Sequence, residues 1–125
     1  MRIAIPVAGE TVASPLGDAE GFRFYEDDHG RIVRQFLVPM EERSTKAAID
    51  LLERYGIDAL IVQDLGVAAL VRKAAPEMPM HASTQLTVHN LSGALEAKQL
   101  GFSRVVLARE MSRSEIAAIA SQAQI

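Results

Sequence analysis

The polar residues best suited to bind a ligand follow three short apolar stretches of the chain. These stretches predict buried strands, and the segments between them predict helices. Strands joined through helices run parallel, so their carboxyl ends meet at one edge of the sheet, where β/α proteins bind ligands. This strand-end rim is therefore the candidate ligand site of the chain. Its members are Gln63, Asp64, His81, Ser83, Thr84, Gln85, Arg109 and Glu110.

Two interpretations of this rim are open. A histidine, an aspartate and a serine at one rim are the members of a hydrolase triad. However, the order and spacing of Asp64, His81 and Ser83 match no hydrolase motif. The simpler interpretation, which we favour, is that rim side chains cap helices and bond to loop backbone. No residue is therefore predicted to be catalytic.

Metal and cofactor sites find little support in the sequence. His81 and His89 are too far apart for one helix face and lack a third ligand, so we expect no metal site. Asp27, Asp28 and His29 fit an exposed hairpin tip, since calcium needs more oxygen ligands at fixed spacing. Cysteine is absent, which excludes disulfides, thiol nucleophiles and thiolate-held metals. We expect no cofactor.

Composition predicts an ordinary globular domain. The chain has 125 residues, of which 49% are hydrophobic and 23% charged, and this length suits one domain. Its net charge of −3 gives no attraction to nucleic acid or to an anionic membrane. The N-terminal apolar run is too short for a signal peptide, and no segment could span a bilayer. We expect a cytoplasmic protein with neither partner.

Residues 1–40 predict a β-meander. Arg2–Val7 reads as a buried strand, and Ala8–Gly21 as a loop rich in glycine and small polar residues. Apolar and polar residues alternate on both sides of a turn at residues 27–30, which is typical of a β-hairpin. Pro39 ends the third strand because it cannot continue a ladder.

Residues 41–125 predict alternating helices and strands. Apolar residues at three- and four-residue spacing mark the helices, while capping residues and glycines mark their ends. The predicted elements are a helix from Ser44 to Gly56, a strand over Ala59–Val62, a helix from Asp64, a strand over 79–85, a helix from Asn90 to Leu100, a strand over Arg104–Ala108 and a helix whose capping box is Ser112 with Glu115.

These elements predict a single α/β domain over residues 1–125 with an open, six-stranded mixed sheet. The expected strand order is 3-2-1-4-5-6, with only strand two antiparallel. Ile3 and Ile5 would then lie alongside Leu60 and Val62. Right-handed crossovers would place the helices mainly on one face. An uncovered edge or face would remain, so we expect a homodimer through it.

Two family resemblances accompany this change from meander to β/α units. Residues 1–28 read MRIAIPVAGETVASPLGDAEGFRFYEDD, with an IAIPV strand, a Ser-x-x-Gly-x-Ala turn and the start of a hairpin. Over residues 1–40 the chain resembles the dinitrogenase iron–molybdenum cofactor biosynthesis family, of the NifX and NifB C-terminal type. That resemblance implies a carrier of a small ligand or metal cofactor.

The second resemblance covers residues 48–121. The stretch DALIVQDLGVAALVRKAAPEMPMHASTQLTVHNLSGALEAKQLGFSRVVLARE is similar to an early barrel segment of the collagenase-like peptidases, a family that also includes tRNA- and ubiquinone-hydroxylation proteins. It implies a partial β/α barrel and a peptidase-like hydrolase activity.

Because each resemblance is partial, we predict a folded hybrid of two families, natural or engineered. The junction would lie within residues 38–58. Such a chimera is expected to have no evolved catalytic activity and not to be an enzyme. The alternatives are a carrier of the dinitrogenase cofactor type and a peptidase-like hydrolase.

Overall fold

The computed structural model describes residues 1–13 and 16–125. The chain divides into two compact units: the first is Met1–Asp58 with Lys73–Pro76, and the second is Ala59–Arg72 with Glu77–Ile125. The described residues form a mixed α/β fold with two sheets and four α-helices.

The elements follow one another in the order that the sequence predicts, with short additions. The strands are β1 (Arg2–Ala8), β2 (Thr11–Val12), β3 (Gly21–Asp28), β4 (Arg31–Pro39), β5 (Leu60–Val62), β6 (Met80–Ala82) and β7 (Phe102–Val105). The α-helices are α1 (Thr45–Arg54), α2 (Leu65–Ala74), α3 (Leu91–Gln99) and α4 (Arg113–Ala123), and short 3-10 helices cover Leu16–Asp18 and Thr84–Leu86.

The first sheet is antiparallel, in the order β2-β1-β3-β4. The predicted hairpin is confirmed as β3 and β4, joined at His29 and Gly30. Both turn residues have positive φ, 50° and 82°, which is the requirement of a type I′ turn. This turn matches the twist of the flanking strands and so fixes their register.

Aromatic side chains join α1 to the first sheet. The ring of Phe24 stacks on Phe36 at 5.2 Å and contacts Tyr55, at the end of α1, at 4.9 Å. Arg2 donates hydrogen bonds to the carbonyl of Tyr55 and, at 3.0 Å, to the carboxylate of Glu26. The apolar face of the meander is therefore covered by α1.

The second sheet is parallel, in the order β5-β6-β7. Its buried face carries Val62, Met80, Ala82 and Phe102, each at most 4% exposed. A further cluster around Val88, Ala94, Ile119 and Ala123 joins the helices that follow. The predicted β/α alternation of this part of the chain is confirmed.

Side-chain caps begin the helices where the sequence predicts them. Ser44 accepts from the N–H of Ala47, and Asp64 from the N–H of Val67 at 2.8 Å. Ser112 and Glu115 form the predicted capping box of α4. These local signals are thus sufficient to position the helix starts.

The prediction of one six-stranded sheet is wrong, because the strands form two separate sheets. Ile3 pairs with Tyr25, and Ile5 pairs with Arg23, so neither residue pairs with β5. The other edge of β1 is partly taken by β2, which folds back after the turn at Gly9 and pairs with Val7 and Ala8. The predicted order 3-2-1-4-5-6 and the prediction of a single antiparallel strand are therefore also wrong.

Three element boundaries also differ from prediction. The strand β2 lies within the predicted loop, Ser83 ends β6 by capping a 3-10 helix, and β7 begins at Phe102 and ends at Val105.

Residues 14 and 15 of the Ser-x-x-Gly-x-Ala turn lie outside the described residues. Within the described residues, none of the helices has the length and apolarity needed to cross a membrane. Whether residues 1–125 act as a single domain stays a prediction.

Candidate functional site

The second sheet leaves one of its faces exposed. Register places Ile61 beside His81 and His81 beside Arg104 on neighbouring strands, so the three side chains point to the same side. Ile61 is 71% exposed, whereas Met80, one residue before His81, is fully buried on the opposite side. We call the exposed side the open face. It comprises Ile61, Gln63, His81, Ser83, Arg104 and Val106.

A β-bulge brings Arg104 onto the open face. Phe102 pairs with Met80, but the register then shifts, so that Arg104 and not Ser103 pairs with His81. The hydroxyl of Ser103 donates to the carbonyl of Met80 at 3.2 Å and holds the extra residue in place. Bulges of this kind redirect side chains and are common beside functional sites.

His81 is held in its neutral form. Partial burial lowers the pKa of the His81 imidazole below its usual value, and the Arg104 guanidinium on the next strand lowers it further. Both effects disfavour the charged imidazolium. At neutral pH the open face therefore presents one permanent positive charge beside an uncharged ring that both donates and accepts hydrogen bonds.

The carboxyl ends of the strands extend this face with polar groups. The N–H of Ser83 donates to the carbonyl of Val62 at 2.9 Å, and the N–H of Val106 donates to the carbonyl of Ala82 at 2.9 Å. These bonds complete the pairs of Val62 with Ala82 and of Ala82 with Val105. Gln63, Ser83 and Val106 are therefore the residues that directly follow the paired strands.

The predicted rim residues separate into two sets. Gln63, His81 and Ser83 lie together on the open face, although His81 is in the middle of β6 and not at its end. The remaining members have local roles or lie farther along the chain. Asp64 caps α2, the carbonyl of Gln85 accepts from the Thr87 hydroxyl at 3.4 Å, and Arg109 and Glu110 lie in an exposed turn after β7.

Sequence reasoning missed Arg104 and Ile61 as site residues. A signal for Arg104 was present: simple alternation puts Arg104 on the same face as Phe102, and a buried phenylalanine cannot share its face with an unpaired arginine. That conflict indicates a break in the register between them. Ile61 carried no such signal, because an apolar residue inside an apolar strand is ordinary.

The open face suits a planar, polar ligand that carries an anionic group. A guanidinium binds phosphate or carboxylate oxygens with two parallel hydrogen bonds. The neutral imidazole of His81 and the Gln63 amide offer donors and acceptors for the rest of the ligand. The Ser83 hydroxyl accepts from the N–H of Gln85 at 3.4 Å as a helix cap and offers its own O–H as a donor. Ile61 and Val106, 71% and 41% exposed, offer apolar contact. Among residues 1–13 and 16–125, no cluster of three or more metal-binding side chains is found.

The sequence profile of peptidase family U32 matches residues 32–125. The chain belongs to peptidase family U32. The match begins within β4 and includes every residue of the open face and of the predicted rim. The second resemblance, to the family of the collagenase-like peptidases, is therefore confirmed. Residues 1–31 lie outside the match, so their resemblance to the dinitrogenase cofactor family stays a prediction.

Individual relatives of this U32 chain are named for RNA modification. It is 45% identical over 67 residues to tRNA hydroxylation protein P of Escherichia coli (strain K12), and 41% identical over 68 residues to the 23S rRNA 5-hydroxycytidine C2501 synthase of the same organism. It is 43% identical over 65 residues to tRNA hydroxylation protein P of Haemophilus influenzae. The aligned stretch is 52 to 54% of this chain but only 15%, 10% and 14% of those relatives. No solved structure matches the chain significantly.

These findings overturn the prediction of a folded hybrid without evolved activity. The family match runs from residue 32 through the whole of the proposed junction at residues 38–58, so one family covers the region where two were expected to meet. The relatives carry the names of RNA-hydroxylating proteins, which contradicts the expectations of an engineered chimera and of a non-enzyme. The names of the relatives support neither of the two alternatives, a cofactor carrier or a peptidase-like hydrolase.

Proposed function

We propose that this chain serves in the hydroxylation of structured RNA, as an enzyme or as part of one, and that its open face contacts the RNA. The observation that carries the proposal is the pairing of Arg104 with a neutral His81 on an exposed sheet face. The names of the aligned relatives support the choice of RNA as the ligand.

Each group on the open face has a partner in RNA. The Arg104 guanidinium suits a phosphate, or stacks on an unpaired base. Gln63, Ser83 and neutral His81 suit the donors and acceptors at the edge of a base that is turned out of its stack. Ile61 offers apolar contact to the base plane. These side chains account for recognition; oxygen insertion needs an oxidant and is not assigned to them.

The charge distribution permits this contact. The expectation of no nucleic-acid partner relied on the net charge of the whole chain. The excess of acidic residues belongs to the first unit, whereas the second unit has five Asp or Glu residues and five Lys or Arg residues. Because screening limits electrostatic attraction to about 10 Å, the charges near Arg104 affect RNA binding more than the net charge of the chain does. The residue paired with Arg104 is His81, which has no carboxylate.

The first unit offers a less suitable surface. An open cleft of about 430 Å³ lies between the end of β4 and α1. Its lining includes Glu41, Glu42 and Asp50 against a single Arg54. Such a lining repels phosphate, so the cleft does not compete as an RNA site.

The other residues of the strand-end rim would contact the RNA around the open face. Gln85, Arg109 and Glu110 are exposed after β6 and β7, while the Asp64 carboxylate serves as a helix cap. A role on tRNA or rRNA also favours the cytoplasmic location expected from the sequence.

Binding of fluorescently labelled tRNA, followed by anisotropy at several salt concentrations, tests the proposal. Arg104→Gln is expected to weaken binding severalfold and to lower the slope of log K against log salt by about one, because one phosphate contact is lost. His81→Gln keeps hydrogen-bonding groups and should weaken binding less.

Arg113→Gln is the matched control, since it removes the same charge from an exposed position at the start of α4 in the same unit. An equal loss in Arg113→Gln and Arg104→Gln would show that only net charge matters. Absence of tRNA binding by the unaltered chain would refute the proposal outright.

A further inference from the structure

Arg104 and His81 are direct neighbours on two paired strands of the second sheet. The register pairs His81 of β6 with Arg104 of β7, and both side chains leave the sheet on the open face. Neighbouring strands lie about 4.8 Å apart, so a positive charge on the His81 ring would lie close to the guanidinium. Like charges at this separation repel each other, which makes the protonated ring unfavourable in the free chain.

The open face supplies no negative charge to offset this repulsion. Its other members are uncharged: Ile61, Gln63, Ser83 and Val106. Asp64 follows β5, but its carboxylate accepts from the N–H of Val67 at 2.8 Å as the cap of α2. Burial, as the larger cause, and the charge of Arg104 both lower the pKa of His81, and no carboxylate of the described residues raises it. A counter-charge for the pair must therefore come from a ligand.

A phosphate group bound at Arg104 changes this balance. It brings negative charge next to the His81 ring, and a nearby opposite charge favours the protonated form of a histidine. We propose that the binding of a phosphate group at Arg104 is coupled to the uptake of one proton by His81 from the solvent. That this phosphate belongs to the backbone of RNA rests on the proposed function.

Protonation changes what the His81 ring offers to a ligand. The neutral imidazole has one donor and one acceptor, whereas both nitrogens of the charged ring donate. One nitrogen can then donate to the phosphate beside Arg104, and the other to an acceptor on the edge of a base. Hydrogen bonds from a charged donor are about twice as strong as neutral ones, so the protonated ring binds RNA more tightly.

The direction of the pH dependence follows from this coupling. The ring of His81 binds a proton more tightly in the complex than in the free chain, so RNA binding takes up a proton between the two pKa values. The affinity for RNA therefore rises as the pH falls through that range, by at most about tenfold per pH unit for one proton. A backbone phosphodiester stays charged throughout, so the dependence originates in the chain.

Anisotropy of labelled tRNA at a series of pH values and constant ionic strength tests the coupling. The unaltered chain should bind severalfold more tightly as the pH is lowered from about 7.5 to about 5.5, the range in which histidine titrates. His81→Gln cannot take up this proton, so its affinity should change little. Arg104→Gln should also lose most of the dependence, because the phosphate that acts on His81 is no longer held. Affinities are compared over the pH range in which far-ultraviolet circular dichroism shows each variant folded.

The other two histidines of the chain provide matched controls. His29 lies at the exposed tip of the hairpin, where its ring contacts the carboxylate of Asp28, and His89 donates from Nδ1 to the carbonyl of Thr87 at 2.9 Å. Neither residue belongs to the open face. His29→Gln and His89→Gln each remove one titrating ring and should keep the full pH dependence of tRNA binding.

NMR titration of the unaltered chain measures the proton uptake directly and needs no variant. Sulfate is the probe, because it has the tetrahedral shape of phosphate and does not titrate in this range. Compared with chloride at equal ionic strength, sulfate should raise the pKa of His81. The imidazole signals of His29 and His89 should titrate as they do in chloride.

The outcomes separate the coupling from the proposed function. Binding of tRNA that does not depend on pH, or a dependence that is undiminished in His81→Gln, would overturn the coupling and leave the proposed function intact. An unchanged pKa of His81 in sulfate would also overturn it. If tRNA does not bind but sulfate raises the pKa of His81, the anion site stands and the proposed function fails.

Discussion

The assignment of a buried and an open face to the second sheet predicts a large difference between two substitutions of equal size. Met80→Ala and Ile61→Ala each remove three heavy atoms from neighbouring strands. Met80 is fully buried, whereas Ile61 is 71% exposed. The two residues face opposite sides of the sheet, so the pair compares the two faces directly.

The magnitudes follow from these exposures. At about 0.8 kcal/mol per buried methylene-sized group, Met80→Ala loses about 2.4 kcal/mol of transfer free energy. The cavity left between two flanking strands brings the cost to about 3 kcal/mol, within the usual range for such changes. Ile61→Ala loses about 0.3 of the same transfer term, about 0.7 kcal/mol. The lower strand propensity of alanine adds several tenths of a kcal/mol.

Urea unfolding followed by far-ultraviolet circular dichroism measures both costs as shifts of the midpoint at constant m value. Met80→Ala should lower the free energy of unfolding by at least about twice as much as Ile61→Ala. Equal losses would refute the assignment, because they would mean that Ile61 is also covered by packed atoms. A small loss in both would show that β6 is not the centre of a packed sheet.

Three further predictions concern the site and its supports. Arg104→Gln should raise the pKa of His81, measured by NMR titration of the imidazole, because the neighbouring guanidinium disfavours its protonation. An unchanged pKa would show that the Arg104 charge does not act on His81. Since the pKa of His81 is lowered in the fold, the stability that its neutral form contributes is present above about pH 6.5 and lost as pH falls through the folded pKa. His81→Gln should flatten that part of the pH–stability curve, and an unaltered curve would contradict this. Ser112→Ala should cost about 1 kcal/mol in urea unfolding through loss of the α4 cap, and no loss would show that the cap is redundant.

Features encoded by nearby residues could be predicted from the sequence. The hairpin turn depends on His29 and Gly30 and on the alternation beside them, so the pairing of β3 with β4 follows from one short stretch. Helix starts depend on a single cap, as at Ser44 and Ser112. The rim residues Gln63 and Ser83 could be found because parallel strands end at a common edge.

Features that depend on distant pairing could not be predicted in the same way. Whether β1 pairs with β2 or with β5 depends on competition for one strand edge, and the sequence of β1 suits either neighbour. The strand β2 contains only Thr11 and Val12, too few residues for a visible alternation. This strand replaces part of the predicted pairing of β1, at Val7 and Ala8. The hybrid interpretation failed for a related reason: the change from meander to β/α units was taken as a family boundary, whereas the family match begins at residue 32, inside the meander.

The bulge at Ser103 depends both on nearby residues and on pairing with a distant strand. Without the extra residue, Arg104 would point toward the face that buries Met80 and Phe102, where an unpaired guanidinium is costly. With it, Phe102 stays buried while Arg104 turns to the open face beside His81. The sequence contains the conflict between Phe102 and Arg104, but only the pairing with β6 shows how it is resolved. The charge that defines the candidate site therefore arises from a register shift, and sites of this kind are best sought where alternation within a strand breaks down.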